Sequence, residues 1–243
     1  MLALVWPCAA HAGAWTEPKG HGLVITTATV SRAQENFDSF GETVSAPHFH
    51  KEDYETYGEY GITNRLTAVL HLRVSVLHPD PPAQSGSGLA EAAFGLQQRL
   101  LSNKRGVLSV QLTGFAPAGT LLTSGGFDGE LRVLSGSRFT FWRRPGFIDA
   151  QFAYRLRANG FADEARGDLT IGLDVTRRVT LLAQSFTVIT RGAGRTNAFA
   201  GEESKAALSF VYHVSPKWSV QLGGQAVVAG TNVPAERALS TAL

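Results

Sequence analysis

The first residues with chemical potential lie in Tyr212-His213-Val214-Ser215. On extended chain His213 and Ser215 project to one side, because strand side chains alternate with a period of two. An imidazole beside a hydroxyl is the start of nucleophilic catalysis, but the base also needs an orienting group and an oxyanion site. No candidate for either is legible. A second set is His48-Phe49-His50 with Glu52 and Asp53 behind it, two imidazoles aimed the same way with carboxylates following. Transition-metal sites need three or four ligands in defined geometry, so neither a metal nor another cofactor is expected. His21, His71 and His78 show no ligand spacing. Gly125-Gly126 and the RGAGR run at 191–195 lack the strand-to-helix context of a phosphate cradle.

What remains is a set of charged side chains on alternating segments: Glu55, Glu59, His71, Arg73, Glu91, Arg99, Arg132, Arg138, Asp149, Arg155, Arg157, Asp168 and Asp174. Mixed rows of this kind line hydrated pores, where rings of side chains set selectivity. They also pair across a barrel and close it. Both readings stay open at this point.

The elements that hold these charges are strands. From Leu66 every second residue is apolar (Leu66, Ala68, Leu70, Leu72, Val74, Val76), while the other parity carries Arg65, His71 and Arg73. Strict alternation of this sort marks a β-strand with two unlike faces. The same unit recurs, giving candidate strands at 22–33, 54–62, 65–77, 89–101, 106–116, 130–142, 147–157, 166–175, 178–190, 204–214 and 217–229. A twelfth starts near Arg237 and is expected to break off at Leu243. Helical periodicity is absent, and 26 glycines are too many for helix interiors. Connections alternate in length: short at 63–64, 103–105, 143–146, 176–177 and 215–216, long at 34–53, 78–88, 117–129, 158–165, 191–203 and 230–236.

Three short hairpins share a pattern: GITNRLT at 61–67, DVTRRVT at 174–180 and HVSPKWS at 213–219. Each sets a Thr or Ser where its hydroxyl can bond the turn backbone, with a basic residue at the water boundary. These hairpins resemble those of Gram-negative outer-membrane barrels. More loosely, the chain resembles porin-like transporters for aromatic and other small hydrophobic compounds. The resemblance implies an architecture and no individual functional residue. It also implies short turns on the periplasmic side and long connections outside.

Alternation alone leaves open whether the apolar face is the core of a soluble sandwich or the outside of a membrane barrel. Aromatics weigh for the barrel. Tyr60, Trp142, Phe147, Tyr212 and Trp218 sit near short turns, and Phe37, Phe40, Phe115, Phe127, Phe161 and Phe199 near long connections, as two interfacial girdles would. The strand 178–190 has apolar residues of both parities, so its facing is undecided. Short turns carry Arg65, Lys104, Arg105, Arg143, Arg144, Arg177, Arg178 and Lys217, while long connections hold acids such as Asp38, Asp128, Glu164 and Glu236. Basic turns near anionic headgroups and acidic loops near divalent cations and lipopolysaccharide fit that split. So does plain solubilising charge at strand ends. On this plan His213 has lumen parity beside a short turn, the wrong place for attack on outer-leaflet lipid.

The bounds agree. Charged residues are 17% of 243 and net charge is +2, with no basic, aromatic-studded patch for nucleic acid. No run of 18 apolar residues is present, which excludes a transmembrane helix. Residues 1–12 read as a partial export signal cut after Ala12, lacking a basic start. Cys8, the sole cysteine, would leave with it. The expected fold is all-β, an antiparallel up-and-down transmembrane barrel of about 12 strands over residues 13–243, its last strand truncated, in the bacterial outer membrane. Expected partners are outer-membrane lipid and lipopolysaccharide, the barrel-assembly machinery and small-molecule solutes. Passive solute passage is the leading function, ahead of a non-conducting surface barrel and a lipid hydrolase.

Overall fold

A computed structural model describes residues 13–81, 85–116, 126–191 and 201–243. The expected signal segment at 1–12 lies outside the described residues, as does Phe199. The wall strands are β1 (Gly22–Phe37), β2 (Thr43–Gly61), β3 (Leu66–Pro79), β4 (Gly86–Ser102), β5 (Gly106–Phe115), β6 (Asp128–Phe141) and β7 (Arg144–Leu156). They continue as β8 (Asp163–Asp174), β9 (Val179–Arg191), β10 (Gly201–His213), β11 (Ser219–Thr231) and, after the two-residue β12 (Val233–Pro234), β13 (Arg237–Ala242). Each of β2 to β10 pairs antiparallel with its sequence neighbours. β13 closes the ring, bonding β11 on one side and β1 on the other. The result is a closed antiparallel barrel of twelve wall strands, with β12 clipped to the outer end of β1. Closure leaves no free sheet edge, the condition for backbone to cross hydrocarbon.

The apolar parity faces outward. Leu70, Phe152 and Leu222 are 45%, 59% and 45% exposed, whereas Val69 and Ala153, next to the first two, are buried. In β9, Leu181 points out, while Phe186 and Val188 border an internal cavity. Both faces of this strand are apolar because part of the lumen wall is, which is why alternation could not orient it.

Four short turns use one device. Thr63 Oγ1 accepts from the amides of Arg65 and Leu66, Asn103 Oδ1 from Arg105 and Gly106, Thr176 Oγ1 from Arg178, and Ser215 Oγ from Lys217 and Trp218. The β6–β7 turn differs. Trp142 and Arg143 have φ of 44° and 63°, the doubly left-handed pair of a two-residue hairpin. The turn expected at 143–146 is therefore at 142–143, and Pro145 and Gly146 are strand residues. Pro145 lies past the last β7–β8 pair, so its missing N–H costs nothing on that side.

The long connection expected at 34–53 shrinks to 38–42, where the Asp38 carboxylate accepts from the amides of Phe40 and Glu42. β1 and β2 stay paired to Phe37↔Thr43. Apolar alternation marks only the stretch inside lipid, about 25 Å tall, so strands that run on into water give no such signal. The His48-Phe49-His50 run thus belongs to β2 and not to a loop. His50 stacks on His78 of β3 at 6.1 Å and bonds Glu52 at 3.3 Å. Among the described residues no group of three or more His, Cys, Asp or Glu has the geometry for a metal.

Candidate functional site

The inner parity of β2 to β8 carries the ionic residues, and the register brings them into one lattice. Glu91 of β4 bonds His71 Nδ1 at 2.7 Å and lies 3.3 Å from Arg155 Nη1. His71 and Arg73 both reach back to Glu55. Arg155 continues to Asp128 at 2.8 Å, and Arg157 joins Asp128 at 3.6 Å to Glu164 at 2.7 Å. Arg166 links Glu164 at 2.6 Å to Glu130 at 3.9 Å, and Arg132 links Glu130 at 2.9 Å to Asp168 at 2.5 Å. Six carboxylates thus alternate with five guanidiniums and His71. With His71 protonated the lattice is electrically balanced. Buried charges persist when paired and hydrogen-bonded in this way.

The other side of the lumen is different. Phe186, Val188, Ala207, Gly223 and Gly224 border a cavity of about 610 Å³ together with the ion pairs Lys205–Glu203 and Lys51–Asp53. Lys51 also reaches Glu236 at 3.2 Å. A second cavity of about 420 Å³ is lined by Gly13, Tyr57, His71, Glu91 and Arg132, among others. Both cavities are bordered by Arg166, Asp168, Gln184 and Phe186, so they adjoin at the middle of the barrel.

Residues 13–21, ahead of β1, are a component that alternation did not reveal. From the short-turn end, where Lys19 N bonds Asn64 Oδ1 at 3.0 Å, the segment turns inward. Glu17 N donates to Thr67 Oγ1, Ser109 Oγ donates to the Ala14 carbonyl at 2.6 Å, and Gln97 Nε2 donates to the Gly13 carbonyl at 2.9 Å. Ala14 packs with Val107, Leu134 and Trp15. Trp15 meets Phe147 edge-on at 6.2 Å, with the Arg138 guanidinium 5.7 Å from its ring. It fits only because residue 136 is glycine; a Cβ there would lie 2.5 Å from the indole. Burial pushes the Glu17 carboxyl up from its ordinary 4.5, with His21 pulling the other way.

Of the charged residues singled out from sequence, Glu55, His71, Arg73, Glu91, Arg132, Arg155, Arg157 and Asp168 meet in the lattice. Glu59 is buried nearby and accepts from Tyr57 at 2.5 Å. Asp149 holds the Ala14 amide at 2.7 Å. Arg99 and Arg138 lie at the short-turn rim, Arg99 donating to the Asn64 carbonyl. Asp174 accepts from Thr180 at 2.6 Å near its turn. Sequence reading missed Glu130 and Arg166, although they share parity with Arg132 and Asp168. It also assigned Asp128, Glu164 and Glu236 to outward loops. All three are buried in the lumen as ion partners: Asp128 and Glu164 because β6 and β8 begin earlier than the lipid-facing pattern does, and Glu236, just ahead of β13, through Lys51.

The two girdles also need correction. Tyr60, Trp142, Tyr212 and Trp218 are exposed at the short-turn end. Phe147 instead faces the lumen against Trp15, and Phe115 is buried under the Arg155 guanidinium at 3.6 Å. Phe161 lies beneath Arg157 at 4.9 Å. His213 does not meet Ser215. Its Nε2 pairs with Thr180 at 3.0 Å and its Nδ1 with Ser219 at 2.9 Å, while Ser215 caps its own turn.

A closed twelve-stranded wall, oily outside and ionic within, with short turns at one end, is a Gram-negative outer-membrane β-barrel, and the bacterial outer membrane is its place. No protein-family model matches the sequence, and no curated protein matches it. Among solved structures the chain is similar to an outer membrane channel from Pseudomonas putida F1, with TM-score 0.75 and 12% identity over 96% of this chain and 98% of that one. It is also similar to the NanC porin, at TM-score 0.56 and 10% identity over 90% and 97% of the two chains. The translocator domain of the autotransporter NalP from Neisseria meningitidis follows at TM-score 0.53 and 11% identity, over 92% and 88%. At such identities the likeness is one of fold.

Proposed function

We propose that this barrel is a narrow porin-type channel for passive passage of small solutes across the outer membrane. The observation that carries the reading is the pair of adjoining cavities, about 610 and 420 Å³, which run beside the ion lattice. A barrel of eight strands fills its interior with side chains and one of sixteen leaves a wide channel. Twelve strands with a lattice on one wall leave a restricted path on the other.

Arg73 and Asp168 border the outer cavity, and His71, Glu91, Arg132 and Asp168 border the inner one. Arg155 and Arg157 hold the lattice in place beside them. Because the lattice pairs its charges internally, selectivity between small cations and anions is weak. The wall at Phe186 and Val188 admits solutes with an apolar side, in keeping with the looser resemblance to transporters of small hydrophobic compounds. Lipid, lipopolysaccharide and the assembly machinery that inserts such barrels are the accompanying partners.

The test is single-channel recording and liposome swelling with the purified protein. Small, resolved conductance steps and swelling with small sugars or amino acids support the proposal. The second reading, a non-conducting surface barrel, is favoured by the 13–21 segment inside the lumen. Absence of both current and swelling, in the wild type and after shortening that segment, would establish it.

A further inference from the structure

Asp149 projects from the inner face of β7 and is 4% exposed. Its Oδ2 accepts the Ala14 amide at 2.7 Å and its Oδ1 accepts Gln151 Nε2 at 2.6 Å. Among the described residues no Lys, Arg or His lies within ion-pair reach, about 4 Å. Arg132, in the same region, is committed to Glu130, Gln151 and Asp168. Every carboxylate of the lattice has a cation, and this one has only neutral donors. A carboxylate taken out of water needs a positive partner.

The missing charge has an obvious source one residue along the chain. Gly13 lies against the same carboxylate: a Cβ on it would be 2.5 Å from Oδ2 and 3.2 Å from Oδ1. Its φ is +150°, and its carbonyl is fixed by Gln97. Glycine alone fits there. The residues before it, Ala10-His11-Ala12, place small side chains at the first and third positions ahead of the Ala12–Gly13 bond, as export peptidases require.

We propose that the chain is cut between Ala12 and Gly13 and that the α-ammonium so created pairs with Asp149 inside the barrel, latching the 13–21 segment in the lumen. The cut is a hydrolysis by a membrane-bound export peptidase. The C–N bond breaks, the hydroxyl of water goes to the Ala12 carboxyl, and a proton goes to the Gly13 nitrogen, which at neutral pH holds a further one. The latch thus forms only in the processed protein, and the carboxylate that was a cost becomes a clamp.

Two measurements test this without reading conduction, so they stand or fall apart from the channel proposal. N-terminal sequencing of the protein extracted from outer membranes should begin Gly13-Ala14-Trp15; any other first residue overturns the inference. The α-amine of the folded protein should resist a water-soluble amine-reactive ester while surface lysines react. Asp149→Asn should speed α-amine labelling roughly tenfold or more, as the segment opens more often. A second comparison covers the case in which Asp149→Asn does not fold. Refolded protein starting at Gly13 should show buried Trp15 emission, and the same chain with one Met ahead of Gly13 should show it red-shifted. Fast labelling of the wild-type α-amine, or identical Trp15 emission in the two chains, overturns the latch.

Discussion

The Arg155 guanidinium lies 3.6 Å from the centre of the Phe115 ring while donating to Asp128 at 2.8 Å, so one side chain ties β7 to β5 and β6. Its third contact, Glu91 at 3.3 Å, extends the tie to β4. Arg155→Ala strands Asp128 with less compensation, and breaking such a pair costs about 3–5 kcal/mol. The midpoint of urea unfolding in detergent should fall, and the conductance step should grow. An unchanged midpoint would show that the lattice contributes nothing to stability.

Trp15 depends on the bare backbone at residue 136. Gly136→Val should push the indole out, because a Cβ there would lie 2.5 Å from it. Fluorescence of a variant retaining only Trp15 should shift to the red, with larger and noisier channel currents. The barrel itself should still migrate as folded on unheated gels.

Glu17 gives the segment a pH dependence. Its docked carboxyl titrates above the ordinary 4.5 because it is part-buried. The neutral form is therefore the one the docked segment favours. Glu17's contribution to docking is complete below 4.5 and is lost as pH rises through the raised value. Glu17→Gln should remove that dependence and hold the segment more tightly at neutral pH. Trp15 emission followed from pH 4 upward, with wild type and variant compared, measures the difference (about 4 being the ordinary carboxyl range).

The outer face predicts a lipid cost. Phe152→Lys places an ammonium in the oily band, about 2–4 kcal/mol unfavourable near the bilayer middle. Folding yield into vesicles should drop, while Gln151→Lys, on the lumen face, should not follow the same depth dependence. Spin labels at Leu70, Phe152 and Leu222 should report hydrocarbon surroundings, since all three side chains point away from the lumen.

The basic rim supplies a fifth measurable effect. Changing Arg143, Arg144, Arg177 and Arg178 to Glu should slow insertion into anionic vesicles, because each basic residue near such a surface contributes about 1 kcal/mol. Equal insertion rates in anionic and neutral vesicles would remove headgroup attraction as the reason for those residues.

Much was legible in the chain because a membrane barrel writes its surroundings into alternate residues. Leu66 to Val76 against Arg65 to Ser75 was enough to assign strand, pairing style and the two kinds of face. The Thr63, Thr176 and Ser215 turns were readable too, since their hydroxyls act within three or four residues of chain. Strand ends were readable only where lipid stops, so the outer parts of β1 and β2, and with them the place of His48 and His50, were not.

Which charges meet is a question of register and closure, and these are tertiary. Glu91 reaches Arg155 across 64 residues because the strands bend into a ring, and Asp128 meets Arg157 because the β6–β7 register sets them one step past the Gly129↔Leu156 pair. The same holds for Gly13, Asp149 and Gln97, which share no local pattern. The sequence by itself determined an alternating, hairpin-built wall, because those preferences are local and repeat every two residues. Only the closed barrel decided that one wall of its lumen is a paired lattice, that Phe115 and Phe147 turn inward, and that the chain's first described residues lie inside. Those outcomes depend on which side chains compete for one enclosed volume.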